Sequence, residues 1–171
     1  AYKKKKANES KDDIFQLMMR TKDKDIVWDL LRKHVGRTQS FVTRFTCEEF
    51  NRIIDGMSKE SLKDLRTAYR DINNERDTLK KIRRQEFLAM RRIPQAIALE
   101  RNTWFHVGAN CNQQYMYCLR RMLDPIKEHL DNNFQPMPKQ YIDEFEEVRR
   151  RINELMSHTE QMISTNRYDL Y

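Results

Sequence analysis

The stretch that decides the fold is Lys139 to Met162, which reads KQYIDEFEEVRRRINELMSHTEQM. Its seam positions recur at alternating steps of three and four residues, which aligns them along one face of an α-helix. These positions are Tyr141, Phe145, Val148, Ile152, Leu155, Thr159 and Met162. Pro138 stands just before the stretch, where the first turn of a helix accepts proline. We therefore predict a long amphipathic helix that packs through this face.

The same spacing predicts a first long helix that begins at Asp23. Its seam positions are Val27, Leu31, His34, Thr38, Phe41 and Phe45. A capping-box pattern over residues 46–49 (TCEE) predicts that a shorter helix restarts at Thr46 and ends near Gly56. A preceding apolar-rich segment, residues 12–19, predicts one or two further helical turns.

Two more long helices are predicted between Ser58 and the loop over residues 132–138. Ser58 is the predicted N-cap of the first, and Pro94 ends or kinks it. Its seam positions are Leu62, Leu65, Tyr69, Ile72, Arg76, Leu79 and Ile82. The second has positions seven residues apart at Ile97, Trp104, Cys111, Cys118 and Pro125.

Composition agrees with a helical fold. The 171 residues include only three Gly and four Pro, which leaves few residues for the turns that a sheet requires. Leu, Met, Glu, Lys and Arg, which favour helices, are abundant. We predict an all-α fold: an elongated antiparallel bundle of three to four long helices, forming one domain over residues 12–171.

Cysteine usage and hydropathy indicate where such a domain resides. The three cysteines are Cys47, Cys111 and Cys118. An odd number without C-x-x-C spacing predicts free thiols packed in the bundle, in a reducing compartment. No apolar run approaches the ~20 residues that span a bilayer. We expect the domain itself to be soluble and cytosolic.

The chain opens AYKKKK without a methionine, and we expect it to be a segment of a longer protein. The four lysines are Lys3, Lys4, Lys5 and Lys6. Such a run is typical of the cytoplasmic flank of a membrane helix, although a solvated tail is the simpler interpretation from sequence alone. We predict that residues 1–11 form a disordered basic tail of the juxtamembrane type.

A second basic feature lies between residues 76 and 92. Its cations are Arg76, Lys80, Lys81, Arg83, Arg84, Arg91 and Arg92. With a formal net charge of +7 for the chain, this segment could bind nucleic acid, an acidic partner or an anionic membrane surface. It lacks the interleaved aromatic residues of a single-strand binder. A solvated helix face is the economical alternative for each cluster.

Catalytic motifs are absent from the sequence, and we predict no enzyme activity. Three scattered glycines exclude a phosphate-binding glycine loop, and no H-E-x-x-H or nucleophile elbow occurs. Asp71 and Glu75, four residues apart, could share a metal ion, although ion pairs with neighbouring cations are the preferred interpretation. His129, in EHLDNN, could join a metal or anion site. A cation at a helix end is the simpler role.

Three stretches carry a family resemblance. They are residues 25–77; residues 79–114, with LERN at positions 99–102; and residues 117–137, which read YCLRRMLDPIKEHLDNNFQPM. Together they resemble the cytosolic PhoU-like domain that follows the last membrane helix of Bacteroidetes-type inorganic phosphate transporters of the PiT family. The similarity covers nearly all of the chain. It lies in the order of the helices and in the wording of these sequence segments, and not in a short diagnostic motif.

The resemblance implies a helical regulatory or assembly domain at the cytoplasmic face of the inner membrane, as part of an integral membrane protein. Its partner would be the membrane part of the same polypeptide, and it would modulate phosphate uptake. The resemblance leaves a homodimer and contact with an anionic membrane surface open. Nucleic-acid binding through the basic helix remains the alternative function.

Many PhoU-like proteins hold metal clusters through a Glu/Asp-x-x-x-Asp signature. Here the aligned copy, Glu100-Arg101-Asn102-Thr103-Trp104, has tryptophan in place of the final aspartate. We therefore predict no metal or other cofactor. The weak metal candidates are Asp71, Glu75, Glu100 and His129.

Overall fold

The computed structural model describes residues 13–167, which form a short helix followed by four long ones. Helix α1 covers residues 13–20. The long helices are α2 (Lys24–Ser58), α3 (Leu62–Met90), α4 (Gln95–Asp131) and α5 (Lys139–Thr165). At 1.5 Å per residue, α4 is about 55 Å long. The predicted all-α class and elongated bundle of long helices are confirmed. The Lys3–Lys6 run lies outside the described residues.

Local sequence signals explain where the long helices begin. The carboxylate of Asp23 accepts hydrogen bonds from the backbone N–H groups of Asp25 and Ile26 and so caps α2. Ser61 caps α3 through the N–H of Asp64, at 3.3 Å. Prolines 94 and 138 immediately precede α4 and α5. The connections between the long helices are short, so that consecutive helices run antiparallel.

The predicted restart of a helix at Thr46 is wrong, because α2 is continuous to Ser58. The Thr46 hydroxyl donates to the carbonyl of Val42 at 2.7 Å, inside the helix, instead of capping a new one. Gly56 lies within α2 and does not end it. Ser58 is therefore the last residue of α2, and Ser61 takes the capping role predicted for it.

Helix α2 is the centre of the bundle, since α3, α4 and α5 all pack against it. Helices α3 and α4 also pack against each other, which produces a three-helix core. The larger apolar cluster includes Val42, Ile53, Ile72, Met116 and Leu123. A second cluster joins α1 to the start of α2, the end of α3 and the start of α4. Its buried members are Met18, Val27, Leu31, Val35, Ala89, Met90, Ile93 and Phe105.

The α2–α3 interface also buries a polar pair. His34 Nδ1 lies 2.8 Å from Glu86 Oε1, and both side chains are more than nine-tenths buried. Each group therefore supplies the hydrogen-bond partner that the other would lack in an apolar interior. His34 was predicted on the seam of its helix, and the structure buries it there.

Helix α5 is attached through both polar and apolar side chains, since Phe145 and Ile152 pack against the larger apolar cluster. The amides of Asn51 and Asn153 exchange hydrogen bonds of 2.8 and 3.0 Å. Glu160 accepts a hydrogen bond from Ser40, and Met156 is the one buried α5 side chain among the described residues. The predicted seam is therefore only partly correct. Its members Tyr141, Val148 and Leu155 are exposed.

Two helical glycines of α2 provide a matched test of this packing. At Gly56, an added Cβ would lie 2.7 Å from the Cδ2 of fully buried Leu65, whereas at Gly36 nothing lies within 4 Å. We expect Gly56→Ala to destabilise the fold by about 1–3 kcal/mol through overpacking. Gly36→Ala should stabilise it by about 0.5–1 kcal/mol through helix propensity. Urea unfolding measures both, and a Gly56→Ala variant as stable as wild type would contradict the close α2–α3 approach.

Candidate functional site

The candidate site is an exposed surface at the end of the bundle where α3 meets α4. We call it the basic end and define it by six residues: Lys24, Arg84, Phe87, Leu88, Arg91 and Leu99. An open depression there is lined by Lys24, Phe87, Arg91 and Leu99, with Met90 and Ile93 also contributing. Leu99 is 73% exposed, and Phe87 and Leu88 are also exposed. Cations and uncovered apolar side chains therefore share this surface.

Helix geometry explains why these α3 residues face outward together. Arg84, Leu88 and Arg91 follow at spacings of four and three, so they lie on one side of the helix. The guanidinium of Arg91, just after α3, lies 5.0 Å from the centre of the Phe87 ring. Such a cation–π contact keeps the charge beside the apolar surface without neutralising it.

The seven basic residues predicted as one stripe do not form a single face. Arg76 and Lys80 both lie within ion-pair distance of Asp77, at 3.5 and 3.9 Å. Arg83 points towards a crevice between α2, α3 and α4 that Gln39 and Asn112 also line.

Arg92 has a structural role, because its guanidinium donates to the carbonyl of Thr21 at 2.8 Å. This bond joins the α1–α2 connection to the end of α3. Lys81, Arg84 and Arg91 are exposed and form no ion pair within residues 13–167. The cations that remain available to a partner are therefore fewer than the sequence count.

The four weak metal candidates do not come together in one site. Asp71 faces α2, with Arg52 and Arg70 each 3.1 Å from its carboxylate. Glu100 is exposed near the start of α4, 3.4 Å from Arg101, and His129 lies near the end of the same helix. No cluster of three or more His, Cys, Asp or Glu side chains in the described part of the chain could hold a metal ion. Glu75 belongs to no such cluster.

His129 helps to close the α4–α5 connection. Its Nε2 lies 2.8 Å from the carbonyl oxygen of Gln135, and its ring packs edge-on against Phe134. Asn133, between them, has φ of 51°, in the left-handed region that Asn adopts more readily than most residues. The helix-end role is therefore the one that its contacts support.

Glu49 is the most perturbed carboxyl group near Asp71. It is 3% exposed, its Oε1 accepts from Arg52 at 2.8 Å, and its Oε2 has no hydrogen-bond partner. Burial raises the pKa of Glu49 from 4.5 to about 7, against the lowering effect of the Arg52 charge. Arg52 is shared with Asp71, and the second carboxylate adds to the increase in pKa.

This pKa predicts a pH-dependent stability. Between about pH 4.5 and 7 the folded state holds a proton on Glu49 that the unfolded chain releases, so stability falls as the pH rises through this window. Glu49→Gln should remove that loss and exceed wild type by about 1–3 kcal/mol at pH 8. At pH 4.5 the difference should be small. Urea unfolding across this range measures it, with the exposed neighbour variant Glu48→Gln as control. A wild-type pH profile in Glu49→Gln would contradict the assignment.

Sequence reasoning missed the apolar half of the basic end. Phe87 and Leu88 fall outside the heptad-like seam that continues past Ile82, and that departure was the available signal. Lys24 and Leu99 come from other helices, so only the folded chain brings them to this surface.

Comparisons with known proteins yielded no relative. No family model matches the chain, and neither does any curated protein or solved structure. In the described residues, none of the helices is long and apolar enough to cross a membrane.

Proposed function

We propose that this chain is a regulatory or assembly domain of an inorganic phosphate transporter, held at the cytosolic face of the inner membrane, where it modulates phosphate uptake. The observation that carries the proposal is the basic end, which combines free cations with exposed apolar side chains. The sequence resemblance is the reason for proposing a phosphate transporter. The cations and apolar side chains of the basic end are the reason for proposing contact with a membrane.

Both parts of this surface favour an anionic bilayer. Each cation near such a surface contributes about 1 kcal/mol, and an exposed Leu or Phe that enters the interface adds the free energy of burying its apolar area. Lys24, Arg84 and Arg91 together therefore contribute about 3 kcal/mol. A free energy of this size gives only weak membrane binding to a protein that is free in solution. It is sufficient for a domain tethered to a membrane part, because tethering raises the effective concentration at the surface.

Chain order is consistent with this orientation. Helix α1 packs in the same apolar cluster as Met90 and Ile93, next to the basic end. The Lys3–Lys6 run precedes α1 in the sequence. In the proposed arrangement, the basic end and the adjacent helix α1 lie on the side of the bundle that faces the membrane.

Vesicle binding tests the basic end directly. We expect the chain to co-sediment with phosphatidylglycerol-containing vesicles and not with neutral phosphatidylcholine vesicles, and to dissociate at high salt because the attraction is screened. Arg84→Gln/Arg91→Gln should weaken binding about 10- to 30-fold, from the loss of two cations. Leu88→Glu should weaken it as well.

The control is Arg150→Gln/Arg151→Gln, which lowers the net charge equally on α5. Arg150 and Arg151 are exposed and pair with Glu147. If this control weakens vesicle binding as much as the basic-end variant, the binding reflects overall charge and the site is wrong.

Regulation of transport requires a separate test in cells. Deleting residues 13–167 from the transporter should change phosphate uptake or its response to phosphate, while the membrane part remains inserted. Uptake that is unchanged over a range of phosphate concentrations would contradict the regulatory role.

Nucleic-acid binding is the second candidate, favoured by Lys81 and Arg84, which are exposed and without ion pairs among the described residues. Its signature would be DNA or RNA affinity that falls steeply with salt as counterions are released. No binding at ~50 mM salt would eliminate it.

A further inference from the structure

The middle of α4 carries a surface without charge. Residues 102–119 contain none of the chain's 33 Lys and Arg or 26 Asp and Glu residues. This stretch is about 27 Å long at 1.5 Å per residue. In a chain that is 35% charged, it is the longest stretch without a Lys, Arg, Asp or Glu residue along the described helices.

This surface is uncovered. Val107 is 54% exposed, and Cys111 and Cys118 are exposed free thiols. Tyr117 is 55% exposed and marks the edge of the surface, because the guanidinium of Arg121 lies 5.7 Å from the centre of its ring. The prediction that these two cysteines are packed is therefore wrong. Among the described residues, α5 approaches the backbone of α2 and not that of α4, so it leaves this side of α4 open.

The exposed residues repeat as a helix-pairing seam. Trp104, Val107, Cys111, Gln114 and Cys118 follow at alternating steps of three and four. Such spacing keeps one stripe directed at a partner helix along several turns. The seam of α4 that is buried in its own bundle lies elsewhere, at Phe105, Met116, Leu119 and Leu123.

We propose that this α4 surface binds the same surface of a second copy of the chain. Two copies that each carry a formal charge of +7 repel one another, and a charge-free face is where they approach at the least electrostatic cost. Depletion of charge with retained aromatic residues is also the composition of interface centres.

The polar residues of the surface suit self-association too. Asn110 and Gln114 carry amides, which offer donor and acceptor together and can pair with the same group of another copy. The bundle already contains such a pair in Asn51 and Asn153. A contact limited to one helix face buries less than the ~800 Å² per partner of a standard interface. A dimer with micromolar affinity is expected.

The two α4 helices run parallel in this dimer. The orientation rests on the proposed function, because only a parallel pair directs both basic ends at one membrane; the dimer itself does not depend on it. In a parallel pair, Cys111 and Cys118 each lie beside the same residue of the second copy. In an antiparallel pair centred on Cys111, Cys118 would lie beside Trp104 instead.

Sedimentation equilibrium of the whole chain tests the dimer. From ~5 to ~200 μM, the apparent mass should rise from 20.9 kDa towards twice that value. Val107→Glu should weaken association at least about 30-fold, since it opposes two like charges at the contact. Val107→Thr, which keeps the shape without charge, should remain dimeric. A wild-type monomer over the whole range, or a Val107→Glu variant that still dimerises, would overturn the proposal.

Leu88→Glu is the matched control. Leu88 is 47% exposed and lies on α3 at the basic end, away from the α4 surface. It should dimerise like wild type while binding vesicles more weakly. Val107→Glu should retain vesicle binding at the level of a monomer. Failure of the dimer and failure of the membrane proposal are therefore separate results.

Oxidative cross-linking tests the orientation. Cys111→Ser, which retains Cys118, should form a disulfide-linked dimer if the helices are parallel. The variant that lacks both Cys111 and Cys118 controls for half-buried Cys47 and should stay uncross-linked. A dimer by sedimentation whose Cys118 does not cross-link would overturn the parallel arrangement and, with it, the shared membrane-facing end.

Discussion

The fold depends on one constraint: α2 has to accept three neighbours along a single uninterrupted helix. It meets α3 and α4 through an apolar core and the buried His34–Glu86 pair. It meets α5 through the Asn51–Asn153 amides and the Arg149–Asp55 ion pair, while Phe145 and Ile152 of α5 pack against the larger apolar cluster. Apolar burial is non-directional, whereas hydrogen-bonded amides specify position. The α5 attachment is therefore specific, although Met156 is the one buried α5 side chain among the described residues.

Spacing in the sequence predicted the long helices and most of the buried stripe of α3, where Leu65, Ile72 and Leu79 are buried, but it misassigned the stripes of α4 and α5. Tyr141, Val148 and Leu155 repeat as regularly as core positions, yet they are exposed. A three-four repeat shows that an apolar stripe exists. Which neighbour covers it depends on how distant helices pack. The false restart at Thr46 has a different cause: the TCEE pattern is ambiguous, because a Thr hydroxyl can bond back to the preceding turn as readily as it can cap a new helix.

Some cations of the candidate site were predictable from the sequence, whereas its apolar residues were not. Counting cations over residues 76–92 identified Arg84 and Arg91, but it also included Arg92, which the fold uses to hold the α1–α2 connection. The metal candidates do not form one site, for a related reason. Asp71 is engaged by Arg52, which lies nineteen positions earlier on another helix. Such long-range partners depend on tertiary contacts and leave no local signature.

The two proposed surfaces reinforce each other physically. A parallel dimer presents twice the number of basic-end cations to one bilayer, so the free energies of the two contacts add before the entropy cost of immobilising the second copy. By thermodynamic linkage, if dimerisation increases the affinity for the membrane, then membrane binding increases the affinity between the two copies by the same factor. Each contact is weak by itself: each basic end contributes about 3 kcal/mol, and the two copies meet through one helix face. Together, these contacts can produce a response that depends steeply on the local concentration of the domain. A bilayer that confines the domains would supply that concentration.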